Sequence, residues 1–192
     1  DGGGTTPAPA EGIYASDVAF VCASDDSENA AYGLGATTIN GNAVTGFKLG
    51  KSKQAGRFTS AAVGVSGEKY LNFYAQGWKG GDVTLYYRVD GGATMSQKLA
   101  SHDGATGNPP YVSLAFAATD HYSVKLNLTE TSTIEFSTDA NFENTASESA
   151  MATARAIVCG VKLSDEPIEG EDGGNTTPEP TPGGVMTIAE AI

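Results

Sequence analysis

Tyr70, Asn72, Tyr74, Gln76 and Trp78 occupy alternate positions along one stretch of chain and carry the chemistry of a binding surface. Successive side chains of an extended strand point to opposite faces. With Leu71, Phe73 and Ala75 turned to a core, these five residues share the other face. Tyr86 and Arg88 stand likewise opposite the apolar set of Val83, Leu85, Tyr87 and Val89. Aromatic rings stack on apolar C–H surface, while amides and a guanidinium fix hydroxyls or carbonyls. The predicted ligand set is therefore Asn72, Tyr74, Gln76, Trp78, Tyr86 and Arg88, and the ligand a glycan or a peptide. The alternative is structural: Trp78 folds into the core at the strand end and the tyrosines seal a sheet edge; separately, the 77–82 turn allows Trp78 to project from a loop.

Other chemistries find less support. His102 and His121 belong to no metal-binding helix pattern and no nucleophile elbow. Gly64-Val65-Ser66-Gly67 reads as a turn and lacks the second spacing of G-x-S-x-G. Gly33-Leu34-Gly35 lacks the third glycine of a dinucleotide fingerprint. The two carboxylates of a glycoside hydrolase are defined by a separation of ~5–9.5 Å in space, and the acids here sit mostly in turns, where hydration accounts for them. Ser24-Asp25-Asp26-Ser27-Glu28-Asn29 concentrates hard oxygen ligands but lacks the fixed spacing of a calcium loop. No catalytic residue, cofactor or metal ligand is assigned, and the expected role is non-catalytic.

The elements that must position these residues are short strands. Alternation marks Val18–Cys22, Phe47–Leu49, Arg57–Ser60, Leu71–Ala75, Val83–Val89, Val112–Phe116, Val124–Leu128, Ile134–Phe136 and Ile157–Val161. Turn chemistry separates them at Asn40-Gly41, Asp90-Gly91-Gly92, Asp103-Gly104 and Asn108-Pro109-Pro110. Asp90-Gly91-Gly92 is the clearest hairpin. The Ala146–Ala154 stretch has room for one helical turn and carries no sustained helical stripe. Eight to ten antiparallel strands without alternating helices predict an all-β, jelly-roll-like β-sandwich.

Cys22 falls in the first strand-like run and Cys159 in the last, so a disulfide between them is geometrically reasonable. The alternative is two buried thiols.

The net charge of -12 is unevenly placed. Residues 2–164 hold 15 Asp/Glu against all 11 Lys/Arg, a balance of only -4, and seven further acids lie beyond Ser164. That distribution argues against nucleic acid, whose binding needs clustered Lys/Arg. No apolar run reaches the ~20 residues of a membrane span. Pro/Thr/Gly-rich stretches flank the strand-patterned body, giving a tether over 1–12, a sandwich over 13–164 and a linker over 165–184. The abrupt start in a Gly-rich spacer is that expected of a processed chain. At 185–192, Thr187 and Glu190 have capping-box spacing, as if a second domain were beginning.

Gly46-Phe47-Lys48-Leu49-Gly50-Lys51-Ser52-Lys53-Gln54-Ala55-Gly56-Arg57-Phe58-Thr59-Ser60 resembles the KLG-S-S-K-x-G-x-(F/L)-T-S pattern of β-sandwich modules in Bacteroidetes surface and secreted lipoproteins. Tyr70–Lys79 looks like their next strand and Ala156–Leu163 like their closing one. In those relatives an Asp or Asn often stands where Cys159 stands here. The closing VMTIAEAI is similar to the opening of an OB-like domain common in the same proteins. The resemblance implies a cell-surface, outer-membrane or secreted protein, touching the membrane only through an N-terminal lipid anchor. It further implies glycan or peptide uptake beside a SusC/SusD-type importer. It carries no catalytic residue. A protein-docking or spacer role is the competing expectation.

Overall fold

Alternating apolar and polar residues become pleated strands through most of the body. The computed structural model describes residues 12–22, 25–35, 37–39, 42–78, 81–100, 116–143 and 154–171. Within them lie β1 (Ala31–Gly33), β2 (Thr37–Ile39), β3 (Asn42–Val44), β4 (Gly46–Leu49), β5 (Arg57–Thr59) and β6 (Gly67–Gly77). They are followed by β7 (Thr84–Val89), β8 (Met95–Lys98), β9 (His121–Leu128), β10 (Ile134–Ser137) and β11 (Ala156–Ser164). The described residues contain two short 3-10 turns, Val18–Phe20 and Ala118–Asp120, and no α-helix.

A five-stranded sheet ordered β1-β4-β11-β6-β9 packs on a four-stranded sheet ordered β5-β10-β7-β8; β2 and β3 form a separate two-stranded sheet. Every pairing is antiparallel. From β4 onward the order is that of a jelly roll: β11 inserts between β4 and β6, and β10 between β5 and β7. Returning strands nest between the outgoing ones, which is how this architecture closes two sheets over one core. The all-β sandwich expected from the sequence is what the chain forms.

Inward-facing residues supply that core. Phe47 and Leu49 of β4, Leu71, Phe73 and Ala75 of β6, Leu85 and Tyr87 of β7, and Ile134 and Phe136 of β10 are all buried. Phe47 stacks on Phe58 with ring centroids 4.0 Å apart, and Phe136 meets Phe47 and Phe73 at 5.6 Å each. The β7–β8 turn is the expected hairpin. Asp90 and Gly91 both take positive φ, of 50° and 67°, the signature of a turn whose twist matches its flanking strands. The Asp90 carboxylate then accepts from Thr133 N at 2.7 Å and Ser132 Oγ at 2.8 Å, tying the hairpin to the loop before β10.

Three sequence expectations change. Val18, Phe20 and Cys22 do not share a strand face: Phe20 N donates to Asp17 O at 2.8 Å, closing a 3-10 turn that buries Phe20 and leaves Val18 57% exposed. The short strands β1 to β3 appear where no alternation announces them. No disulfide joins Cys22 to Cys159. Cys22 packs against the core between the sheets, whereas Cys159 belongs to a cluster on the far side of the five-stranded sheet, so the two cysteines lie on opposite faces of that sheet. Cys22 is half-buried and Cys159 fully buried, where burial pushes its thiol pKa up. A thiol reagent should therefore modify Cys22 alone in the native protein and both cysteines after denaturation. No thiol reacting in the denatured protein until reduction, and two equivalents after it, would contradict this.

The turns at Asn40-Gly41, Asp103-Gly104 and Asn108-Pro109-Pro110 lie outside the described residues. So do the Val112–Phe116 run up to residue 115, the Ala146–Ala154 stretch up to residue 153, the 1–11 tether, the linker from residue 172 and the 185–192 segment. No helix among the described residues is long and apolar enough to cross a membrane.

Candidate functional site

On β6 the outer face holds the residues that alternation places there, but it is covered. Asn72, Tyr74 and Gln76 are 1%, 3% and 1% exposed. Tyr74 sits inside an aromatic cluster with Tyr14 at 4.9 Å, Phe116 at 5.8 Å and His121 at 4.7 Å between ring centroids. Burial lowers the pKa of His121, favouring its neutral form against the ring. Gln76 Nε2 donates to Asp120 Oδ2 at 2.8 Å, which also accepts Ala117 N at 2.8 Å. Asn72 Oδ1 accepts Ile168 N at 3.0 Å, and the Tyr74 hydroxyl accepts Glu171 N at 2.7 Å.

These three side chains therefore fasten two segments onto the sheet: the 3-10 turn before β9 and the run from Asp165 to Glu171 that the sequence assigns to a linker. Gly170 allows that close approach, since a Cβ there would stand 2.4 Å from Ala118 O. The remaining cavity between Asn72, Tyr74, His121 and Gly160 is about 70 Å³, which suits a few waters. Asn72, Tyr74 and Gln76 thus present no open platform: Tyr74 belongs to a second, smaller core, and Asn72 and Gln76 are buried beside it with their hydrogen bonds turned to the covering segments.

Tyr86 and Arg88 lie elsewhere. β7 belongs to the four-stranded sheet, so its outer face points away from that of β6, and the six expected residues do not converge. Arg88 pairs with Glu135 across β10 and lays its guanidinium over Phe142, 4.1 Å from the ring centroid. Both interactions hold Arg88 in place on a partly exposed face beside Tyr86.

Trp78, the sole tryptophan, keeps the most surface chemistry. It sits where β6 ends, packed by one side on the Tyr14–Tyr74 cluster and otherwise partly exposed. Register assembles its neighbours. Tyr32, Lys48, Ile157 and Gln76 align in one row across β1, β4, β11 and β6. Two residues along, Trp78 N donates to Arg155 O at 2.8 Å, making Arg155 and Trp78 cross-strand neighbours. Lys48 Nζ lies 4.7 Å from the Trp78 ring centroid and 5.0 Å from that of Tyr32; Arg155 Cζ is 5.9 Å from Trp78.

Gly50 makes room for this group. Its φ is +87°, and a Cβ would stand 2.7 Å from the Ala154 backbone oxygen and 2.8 Å from Arg155 Cγ, so glycine lets the Ala154–Arg155 backbone and the arginine stem approach there. The sequence reading missed Tyr32, Lys48 and Arg155. Their usable signal is the outward position of Lys48 between buried Phe47 and Leu49.

The Ser24–Asn29 segment is a turn in its described part. Asp26 accepts Asn29 N at 3.0 Å and Asn29 Nδ2 at 2.7 Å, bonds that hold its carboxyl below the usual range. Ser24 and His102 lie outside the described residues. Among the described residues no group of three His, Cys, Asp or Glu could hold a metal ion. Fold and surface together define a jelly-roll β-sandwich with a cation-flanked aromatic patch. The chain matches no protein-family model, no curated protein and no solved structure.

Proposed function

We propose that this chain is a non-catalytic, glycan-binding module of a cell-surface lipoprotein, held to the outer membrane by an N-terminal lipid anchor and acting beside a SusC/SusD-type uptake system. The observation that carries the binding reading is Trp78, partly exposed at the end of β6 with Tyr32 and two cations around it. A partly exposed ring held at one side by the core supplies a stacking surface for a sugar at little entropic cost. The Pro/Thr/Gly-rich flanks and the KLG-type motif support the lipoprotein setting by resemblance alone. Fold by itself assigns no ligand.

Trp78→Ala should weaken retention of the bound polysaccharide in affinity electrophoresis by on the order of 30-fold, as loss of an aromatic anchor does, while the protein still melts cooperatively. Undiminished retention would remove Trp78 from the site.

One observation favours the competing reading of a protein-docking module. Beside the Val18–Phe20 turn an apolar groove of about 350 Å³ is lined by Val18, Ala61, Val63, Val65 and Leu163. Exposed apolar surface of this kind marks contact sites. Val18→Asp should abolish such docking and leave glycan retention untouched.

A further inference from the structure

Lys48 and Arg155 are two cations set against one ring, and neither has an acidic partner among the described residues. Ion pairs join Lys69 to Asp165, Arg88 to Glu135, Lys98 to Asp82 and Lys125 to Glu68 among the described residues. None of them includes Lys48 or Arg155. Asp25 and Asp26 act electrostatically on the Tyr32 hydroxyl, and Asp26 is occupied by Asn29. Arg155 Nε is buried with no acceptor.

Burial and, after it, the nearby Arg155 charge both lower the Lys48 pKa. Half-buried like charges repel one another, and an unpaired buried N–H forfeits a hydrogen bond. A protein with a net charge of -12 nevertheless keeps both cations beside its one tryptophan.

We propose that Lys48 and Arg155 form an anion site that takes the carboxylate or sulfate of an acidic saccharide whose ring stacks on Trp78. The inference rests on the glycan-binding reading and narrows it to a charged ligand class. An anion between the two cations relieves their repulsion, and a guanidinium matches the two oxygens of a carboxylate or the face of a sulfate. The sugar ring supplies apolar C–H surface to the indole. Neutral glycans would leave both cations as they are in the empty protein, so binding energy is gained selectively by acidic ones.

The test uses the whole chain and its Lys48→Met, Arg155→Met and Lys48→Arg variants, titrated with four probes. Polygalacturonate carries carboxylates, its fully methyl-esterified form has the same backbone without charge, chondroitin sulfate adds sulfate, and poly-glutamate carries the charge on a peptide. Polygalacturonate or chondroitin sulfate should bind, about tenfold more weakly in each Met variant, and more weakly in wild type as salt rises. Lys48→Arg should retain binding, which separates lost charge from lost fold, and the Met variants should melt no lower than wild type. Equal binding of the esterified polymer, indifferent to both Met variants, overturns the anion site while leaving the glycan reading intact. No binding of any saccharide overturns both, and preference for poly-glutamate overturns the saccharide assignment in favour of an acidic peptide.

Discussion

Tyr74→Ala should lower the unfolding free energy by about 3–5 kcal/mol, the range for removing a buried aromatic ring. At 3% exposure the ring touches Tyr14, Phe116 and His121 and anchors the cluster between the five-stranded sheet and the segments covering it. Its hydroxyl is also the acceptor for Glu171 N. Two effects should therefore separate in two variants. Tyr74→Ala empties the cluster and should depress the thermal midpoint by ~10 °C, at ~2–4 °C per kcal/mol for a domain of this size. Tyr74→Phe keeps the ring, costs about 1 kcal/mol, and should chiefly speed hydrogen exchange at the Glu171 amide. Calorimetry and exchange on both variants check the pair. A Tyr74→Ala protein melting like wild type would mean that this face is open, as the alternation by itself suggests.

Gly56→Ala should cost about 3 kcal/mol, at the upper end for overpacking, for a reason outside the hydrophobic core. A Cβ on Gly56 would stand 2.1 Å from Gly50 N and 2.7 Å from Ala30 O, both backbone atoms that no rotamer change can move. This is where the chain leaves β4 and crosses to β5 in the opposite sheet, and Gly50 N already donates to Ala30 O at 2.8 Å there. Enlarging the crossing forces apart the strands that carry Phe47 and Phe58, whose rings stack across the sandwich. A chemical denaturation curve for Gly56→Ala checks this; an unchanged midpoint would contradict the close approach. The spacing of Gly50 and Gly56 within the motif thereby acquires a physical meaning: both glycines mark places where backbone meets backbone or an arginine stem.

Much of the sandwich was legible because strand alternation and turn residues agree with each other. Leu71, Phe73 and Ala75 point inward as their spacing requires, and Asp90-Gly91 turns where positive φ is cheap. The jelly-roll nesting was less so, since inserting β11 between β4 and β6 depends on contacts far apart in sequence. The outer face of β6 misled for the same reason. Alternation correctly separates Tyr74 from Phe73, but Tyr14, Phe116 and the stretch from Ile168 to Glu171 that cover it come from distant segments, one of them linker-like in composition. Val18 and Phe20 misled because two apolar residues at spacing two fit a 3-10 turn as readily as a strand. The patch around Trp78 was half visible. The ring itself stands out, but Lys48 and Arg155 meet it only through the register across β4, β11 and β6, which no local pattern records.

Trp78 is the sole tryptophan, so intrinsic fluorescence reads the site directly. Titrating the whole chain with polygalacturonate should quench or blue-shift the emission saturably, with the response weakened about tenfold in Arg155→Met. Retention of a polysaccharide by the protein with no change in Trp78 emission would place binding elsewhere and contradict the account.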